Sequence, residues 1–258
     1  MPSLTTLQEK AATDEPITLV NAYDYATARL VDRSDVDIAL VGDSLGVTML
    51  GYDGTDRVTV DEMVHHASAV SRAVEDTFVM VDLPFGAYNV TPAEAVRNAN
   101  RLKKESGADA VKLEGGSEVA PTVEAIDAAG ITVFGHLGVT PQTDDATDGY
   151  DVHGETSAEV NELVEDARAV DAAGAAGMIL ELVDPDAAAT VTEATDGITL
   201  GIGAGPHCDA QAVTLHDLLG LQDVLPETVA GLRGTFGDDI VSHLDAYHEA
   251  VGSGEFPP

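Results

Sequence analysis

Positive charge is what this 258-residue sequence has least of. Twelve Lys and Arg stand against forty-six Asp and Glu, for a formal net charge of −34. The lysines are at 10, 103, 104 and 112, and the arginines are scattered rather than clustered. So acidic a chain repels phosphate backbones and anionic headgroups, which argues against nucleic acid and membrane surfaces as partners. Trp is absent and Cys208 is the single cysteine, so no internal disulfide can form and a reducing compartment fits. No stretch approaches the roughly eighteen continuous apolar residues of a membrane span, and residues 1–16 carry no apolar signal segment. A soluble, cytoplasmic protein is expected. Acidic chains are often disordered, but 44% apolar residues in periodic runs predict a folded core. The charge then reads as a surface suited to concentrated salt, as in a halophile, where counterions screen self-repulsion.

What the sequence does contain is a succession of short apolar runs. Ile38-Ala39-Leu40-Val41, bounded by Asp37 and Gly42, reads as a strand buried on both faces. Similar runs predict strands at 17–21, 77–83, 109–114, 131–136, 176–181 and 198–202, with an eighth in 212–216. Helical patterns separate them. Thr59-Val60-Asp61-Glu62 and Thr91-Pro92-Ala93-Glu94 carry helix-start signals, for helices at 59–74 and 91–106. Further helices are predicted at 118–129, at 157–173, from Pro185 and at 226–251. Residues 46–57 read as a loop long enough for a lid, and 138–155 as a second polar loop. Eight strands alternating with helices favour a (β/α)8 TIM barrel, with residues 1–258 as one domain, over an open doubly wound sheet. At this length the core needs neither disulfide nor structural metal.

Several predicted strands end on a charged group. The opening run delivers Asp43 and Ser44, the third ends in Asp82, the fourth carries Lys112 and Glu114, and the sixth ends in Glu181. A helix cap or a solvated acid explains any one of these, but four at corresponding positions suggest a shared pocket. Asp43, Asp82 and Glu114 are hard oxygen donors suited to a divalent cation, with Mg²⁺ the default. Lys112 and Glu114, two residues apart on one strand, face the same way. A structural ion pair between them is the alternative. Glu181 follows three apolar residues and is expected to be desolvated and to accept a proton. His136 reads equally as a core histidine or a pocket residue. Gly201-Ile202-Gly203-Ala204-Gly205 lacks a dinucleotide-binding spacing, and Cys208 reads as a small buried hydrophobe.

At these positions the sequence resembles the ketopantoate hydroxymethyltransferase family. The strings that carry the likeness include Val41-Gly42-Asp43-Ser44-Leu45-Gly46, Asp82-Leu83-Pro84-Phe85, Ala110-Val111-Lys112-Leu113-Glu114-Gly115-Gly116 and Gly135-His136-Leu137-Gly138-Val139-Thr140-Pro141-Gln142. The resemblance runs almost end to end. It implies a TIM barrel of the phosphoenolpyruvate/pyruvate type and an Mg²⁺ site of Asp43, Asp82 and Glu114. It also implies keto acid contacts from Asp43, Ser44, Asp82 and Lys112, and Glu181 as the proton acceptor. The implied reaction moves a hydroxymethyl group from 5,10-methylenetetrahydrofolate, or an archaeal pterin analogue, to 3-methyl-2-oxobutanoate, a step toward pantothenate and coenzyme A. A homo-oligomer, often a decamer in the family, is implied too. Two rival readings are carbon–carbon cleavage on the same barrel, as in isocitrate-lyase-like enzymes, and a non-catalytic acidic barrel that binds metal. The first usually places a catalytic Cys in a flexible loop; the second needs neither Lys112 nor Glu181.

Overall fold

The computed structural model describes residues 3–144, 150–222 and 234–257. The apolar runs become parallel strands: β1 Ile17–Asn21, β2 Ile38–Val41, β3 Phe78–Asp82, β4 Ala110–Lys112, β5 Thr132–Gly138, β6 Gly177–Glu181, β7 Ile198–Ile202 and β8 Ala210–Thr214. They close in chain order into an eight-stranded barrel. Between them come α2 Tyr25–Val31, α3 Leu45–Thr48, α4 Val60–Ser71, α5 Pro92–Arg101, α6 Ala120–Ala128, α7 Ser157–Ala172 and α8 Pro185–Ala194. The start signals work as the residue types require. Thr59 and Glu62 form a reciprocal capping box on α4, and Thr91 caps α5 ahead of Pro92.

Side chains alternate along each strand, so the register sets what points inward. Ile38, Leu40, Phe78, Met80, Ala110, Phe134, Ile179, Ile198 and Leu200 belong to one buried apolar cluster that fills the barrel. Two residues further along the same faces come Gly42, Asp82, Lys112, His136 and Glu181. The polar site is therefore the top layer of a packed core, laid directly on apolar side chains.

Three expectations change. Residues 1–16, where no element was predicted, hold α1, Leu4–Ala12, which is capped by Ser3 and sends Leu7 into the barrel cluster, with Leu4 and Ala11 packed beside it. Strand eight lies at Ala210–Thr214, two residues before the predicted 212–216. The Asp209 carboxylate accepts the Thr199 N–H at 2.8 Å and fixes its start against β7. Residues 46–57 are not a plain loop. They include most of α3 and a 3-10 turn at Thr55–Arg57, and they are tied down by a Tyr52 hydroxyl donating to Glu62 (2.6 Å) and a Thr55 hydroxyl donating to the Pro141 carbonyl (3.1 Å). The C-terminal helix, α10, runs Phe236–Ser253, and residues 226–233 of the predicted one lie outside the described residues.

The chain groups into two compact units, residues 1–212 and 213–258. The second holds the short α9, Leu215–Leu219, and α10, which exposes Phe236, Ile240, Leu244, Tyr247 and Val251. No helix among the described residues is long and apolar enough to cross a membrane.

Candidate active site

Lys112 is the hub of the barrel mouth. Its side chain is 3% exposed, and its ammonium lies 3.3 Å from Asp82 Oδ2, 3.7 Å from Glu114 Oε1 and 2.9 Å from His136 Nδ1. Burial alone pulls a lysine pKa down, but Asp82, Glu114, Asp43 and Glu181 together outweigh it and hold Lys112 above its ordinary value. Neighbouring strands deliver these groups, with Asp82 paired to Lys112 in the β3–β4 register and Lys112 to Phe134, two before His136, in the β4–β5 register.

Asp43 follows β2, and its backbone N–H donates to Asp82 Oδ2 at 3.1 Å. Gly42 makes that approach possible. A Cβ there would sit 2.7 Å from Asn21 Nδ2, 2.9 Å from Ser44 Oγ and 3.5 Å from Asp82 Oδ2. The Asp43 carboxyl is raised well above the usual carboxylate range, by burial first and then by the Asp82 charge, with Lys112 and a hydrogen bond from Gln142 pulling back. Ser44 is half-buried and meets the Tyr23 hydroxyl at 2.8 Å and Asn21 Nδ2 at 3.2 Å. Burial pushes the Tyr23 phenol up to about 12.

Two residues without an assigned role turn out to organise the acids. Gln142 Nε2 donates to Asp43 Oδ2 (2.6 Å) and to the Leu83 carbonyl (3.0 Å), while its backbone N–H donates to Glu114 Oε2 (3.1 Å). The Tyr88 hydroxyl donates to Gln142 Oε1 at 2.7 Å and accepts from the Glu114 N–H at 3.3 Å. No local signal marks either one, since a loop amide and a tyrosine acquire this role only when β2, β3 and β4 close around them. A cavity of about 430 Å³ opens beside Glu114, lined also by Tyr88, Gly115, Leu137, His153 and Asp166.

Glu181 ends β6. It was expected to be desolvated; its side chain is 19% exposed and Oε2 lies 3.4 Å from His136 Nε2. Gly138, its partner in register, has φ 89, and a Cβ there would collide with the Glu181 carbonyl oxygen. The next residue, Leu182, takes φ 48, a left-handed conformation that costs a branched residue about 1–3 kcal/mol. Cys208 is buried within an apolar cluster, which pushes its thiol up to about 11 and suits packing rather than attack.

Asp43, Asp82 and Glu114 thus share one buried corner. Among the described residues no three His, Cys, Asp or Glu side chains are set to hold a metal ion as they stand. The chemistry nonetheless fits a divalent cation. Three buried carboxylates face one ammonium, and Asp82 Oδ1 is buried with no hydrogen-bond partner. Glu114 is the more committed, with Oε2 on Gln142 and Oε1 near Lys112 and His136. Asp82, with Asp43 beside it, has the freer oxygen.

Residues 2–258 match the family described as Ketopantoate hydroxymethyltransferase. This chain belongs to that family. Among the ketopantoate hydroxymethyltransferase relatives, the 3-methyl-2-oxobutanoate hydroxymethyltransferase of Heliobacterium modesticaldum is 48% identical over 93% of this chain and 87% of its own. That of Ignicoccus hospitalis is 47% identical over 97% and 95%. Among solved structures, a phosphoenolpyruvate phosphomutase from Streptomyces platensis superposes with a TM-score of 0.66 at 14% identity, over 98% of this chain and 88% of that one. A 2,3-dimethylmalate lyase of the PEP mutase/isocitrate lyase superfamily gives 0.61 at 18%, over 98% and 89%. At those identities the likeness is one of fold alone: this chain shares their barrel architecture.

Proposed function

We propose that this chain transfers a hydroxymethyl group to 3-methyl-2-oxobutanoate, giving 2-dehydropantoate on the route to pantothenate and coenzyme A. The one-carbon donor is 5,10-methylenetetrahydrofolate or an archaeal pterin analogue. The observation that carries this reading is a partly buried carboxylate, Glu181, standing at the mouth of a barrel whose buried top layer centres on the Lys112 ammonium.

A base and a fixed positive charge are what an enolisation needs. Glu181 takes the C3 proton, and Lys112 supplies positive charge where the C2 oxyanion develops. Ser44 and Asp43 line the same corner and orient the keto acid. The C3 carbanion forms the new carbon–carbon bond to the donor's methylene carbon and water supplies the hydroxyl oxygen; both of that carbon's bonds to the donor's nitrogens break, and the C3 proton and one water proton end on those two nitrogens. Asp43 and Asp82, with Glu114 behind them, would hold Mg²⁺. When bound, the ion would act as a Lewis acid toward the keto acid's oxygens.

Glu181→Gln keeps the size of the side chain and removes its ability to accept the proton. Deuterium exchange at C3 of 3-methyl-2-oxobutanoate, followed without any pterin, should fall by about 10²–10⁴-fold while the keto acid still binds. Exchange at the wild-type rate would give the proton to another group.

A further inference from the structure

His136 is 2% exposed and touches both halves of the proposed chemistry: Nδ1 lies 2.9 Å from Lys112 Nζ, and Nε2 lies 3.4 Å from Glu181 Oε2. The two contacts are not equivalent. An ammonium has three N–H donors and no acceptor. The groups around Lys112 are Asp82 Oδ2 at 3.3 Å, Glu114 Oε1 at 3.7 Å and His136 Nδ1 at 2.9 Å. At 2.9 Å a proton on Nδ1 would oppose a Lys112 proton, so Nδ1 must be the acceptor and the ring hydrogen must sit on Nε2. That nitrogen is buried and makes no hydrogen bond as the side chains stand. Burying an N–H without a partner is costly, and the carboxylate beside it is Glu181.

We infer that His136 is a positioning residue for Glu181: Lys112 fixes its tautomer, and its Nε2–H aims one Glu181 carboxylate oxygen so that the other faces C3 of the keto acid. This rests on Glu181 being the base. The contact is long in the free enzyme, and closing it needs only a small turn of the Glu181 side chain. One ammonium would then set both ends of the enolisation, directly at the oxyanion and through the imidazole at the base. The geometry depends on three successive strands, since Lys112 comes from β4, His136 from β5 and Glu181 from β6.

Two substitutions separate the ends of the ring. His136→Asn places an amide oxygen near the Nδ1 position, keeps the Lys112 contact and leaves nothing to reach Glu181. His136→Gln places an N–H near the Nε2 position. C3 deuterium exchange and keto acid binding are measured for both variants, each with Glu181 and with Glu181→Gln. His136→Asn should slow exchange by about 10²-fold, the cost of misplacing a reacting group by about 1 Å. Its keto acid Kd should stay within about threefold of wild type, and His136→Gln should recover at least about tenfold of the lost rate. In the Glu181→Gln background the His136→Asn effect should shrink to about twofold or less, because there is no base left to aim. An equal loss in both backgrounds, a His136→Gln variant as slow as His136→Asn, or a His136→Asn variant that no longer binds keto acid would each overturn the positioning role. Failure of the two ideas looks different. Wild-type exchange by Glu181→Gln alone sinks the base and His136 with it, whereas a dead Glu181→Gln beside an intact His136→Asn sinks His136 only.

Discussion

Both ends of the barrel carry aspartates, yet the two sets do opposite things. At the N-terminal end Asp37, Asp109 and Asp209 directly precede β2, β4 and β8. Each reaches back to the strand before: Asp37 accepts the Thr18 N–H at 3.0 Å, Asp109 the Val79 N–H at 2.9 Å, and Asp209 the Thr199 N–H at 2.8 Å. Each carboxylate closes a backbone donor that would otherwise stop short at the barrel's edge, so these acids belong to folding. At the C-terminal end the balance is reversed. Asp43, Asp82 and Glu114 crowd one ammonium, Asp82 Oδ1 finds no donor, and the Asp43 carboxyl is forced well above its usual range. An acid matched by donors is structure; acids in excess of donors are capacity to bind something positive. A barrel keeps the two apart by placing them at opposite strand ends.

The largest effect that separates the two ends comes from the mouth. Lys112→Met removes the single cation from a cluster of buried acids. It should cost about 3–5 kcal/mol of stability in a denaturant titration, because the remaining charges lose their partner. It should also abolish C3 exchange. At the other end, Asp209→Ala leaves the N–H of the fully buried Thr199 without its acceptor, for a loss of about 1–3 kcal/mol. Its C3 exchange rate per folded molecule should match wild type. If Asp209→Ala slowed exchange as Lys112→Met does, the division between the two ends would collapse.

How far this division was legible in sequence follows from what carries each signal. The apolar runs of β2, β3 and β6 are fully buried along their cores, so hydrophobicity alone marked them. The two-residue period then carried Asp82, Lys112 and Glu181 to one face. The eighth strand, Ala-Gln-Ala-Val-Thr, is only partly buried, so it is placed by pairing with β7 rather than by its own residues, and the predicted position slipped by two. Helix α1 was missed because only Leu7 of its nine residues is buried. The roles of Gln142 and Tyr88 went unread because their partners lie up to 99 residues away in sequence. The His136–Glu181 contact was hidden for the same reason. Nor could spacing distinguish Asp109, read simply as the start of strand four, from the acids of the mouth; only the Val79 N–H does that.

The smallest predicted effect is the most discriminating, because its sign is unusual. Asp43→Asn should make the metal-free protein more stable. Burial and the nearby Asp82 charge raise the Asp43 carboxyl in the folded state above its unfolded value, which is about 3.9. The folded state therefore holds this proton more tightly than the unfolded one, and stability falls as pH rises from the unfolded value through the folded one. Below about pH 4 both states are protonated and the residue contributes no penalty. Above the folded pKa the penalty is complete. Asparagine keeps the shape and still offers an oxygen to the Gln142 amide, but carries no charge to bury. At neutral pH the variant should gain about 1–2 kcal/mol, which for a chain of this size is roughly 2–8 °C in Tm. The gain should vanish toward pH 4 and narrow when Mg²⁺ is added, since the ion would relieve the wild type alone. The same substitution at the other end, Asp209→Asn, should give no such gain, since Asp209 already answers the Thr199 N–H and hydroxyl. An Asp43→Asn protein less stable than wild type in metal-free buffer at neutral pH would mean that the mouth, like the floor, is balanced by its own donors.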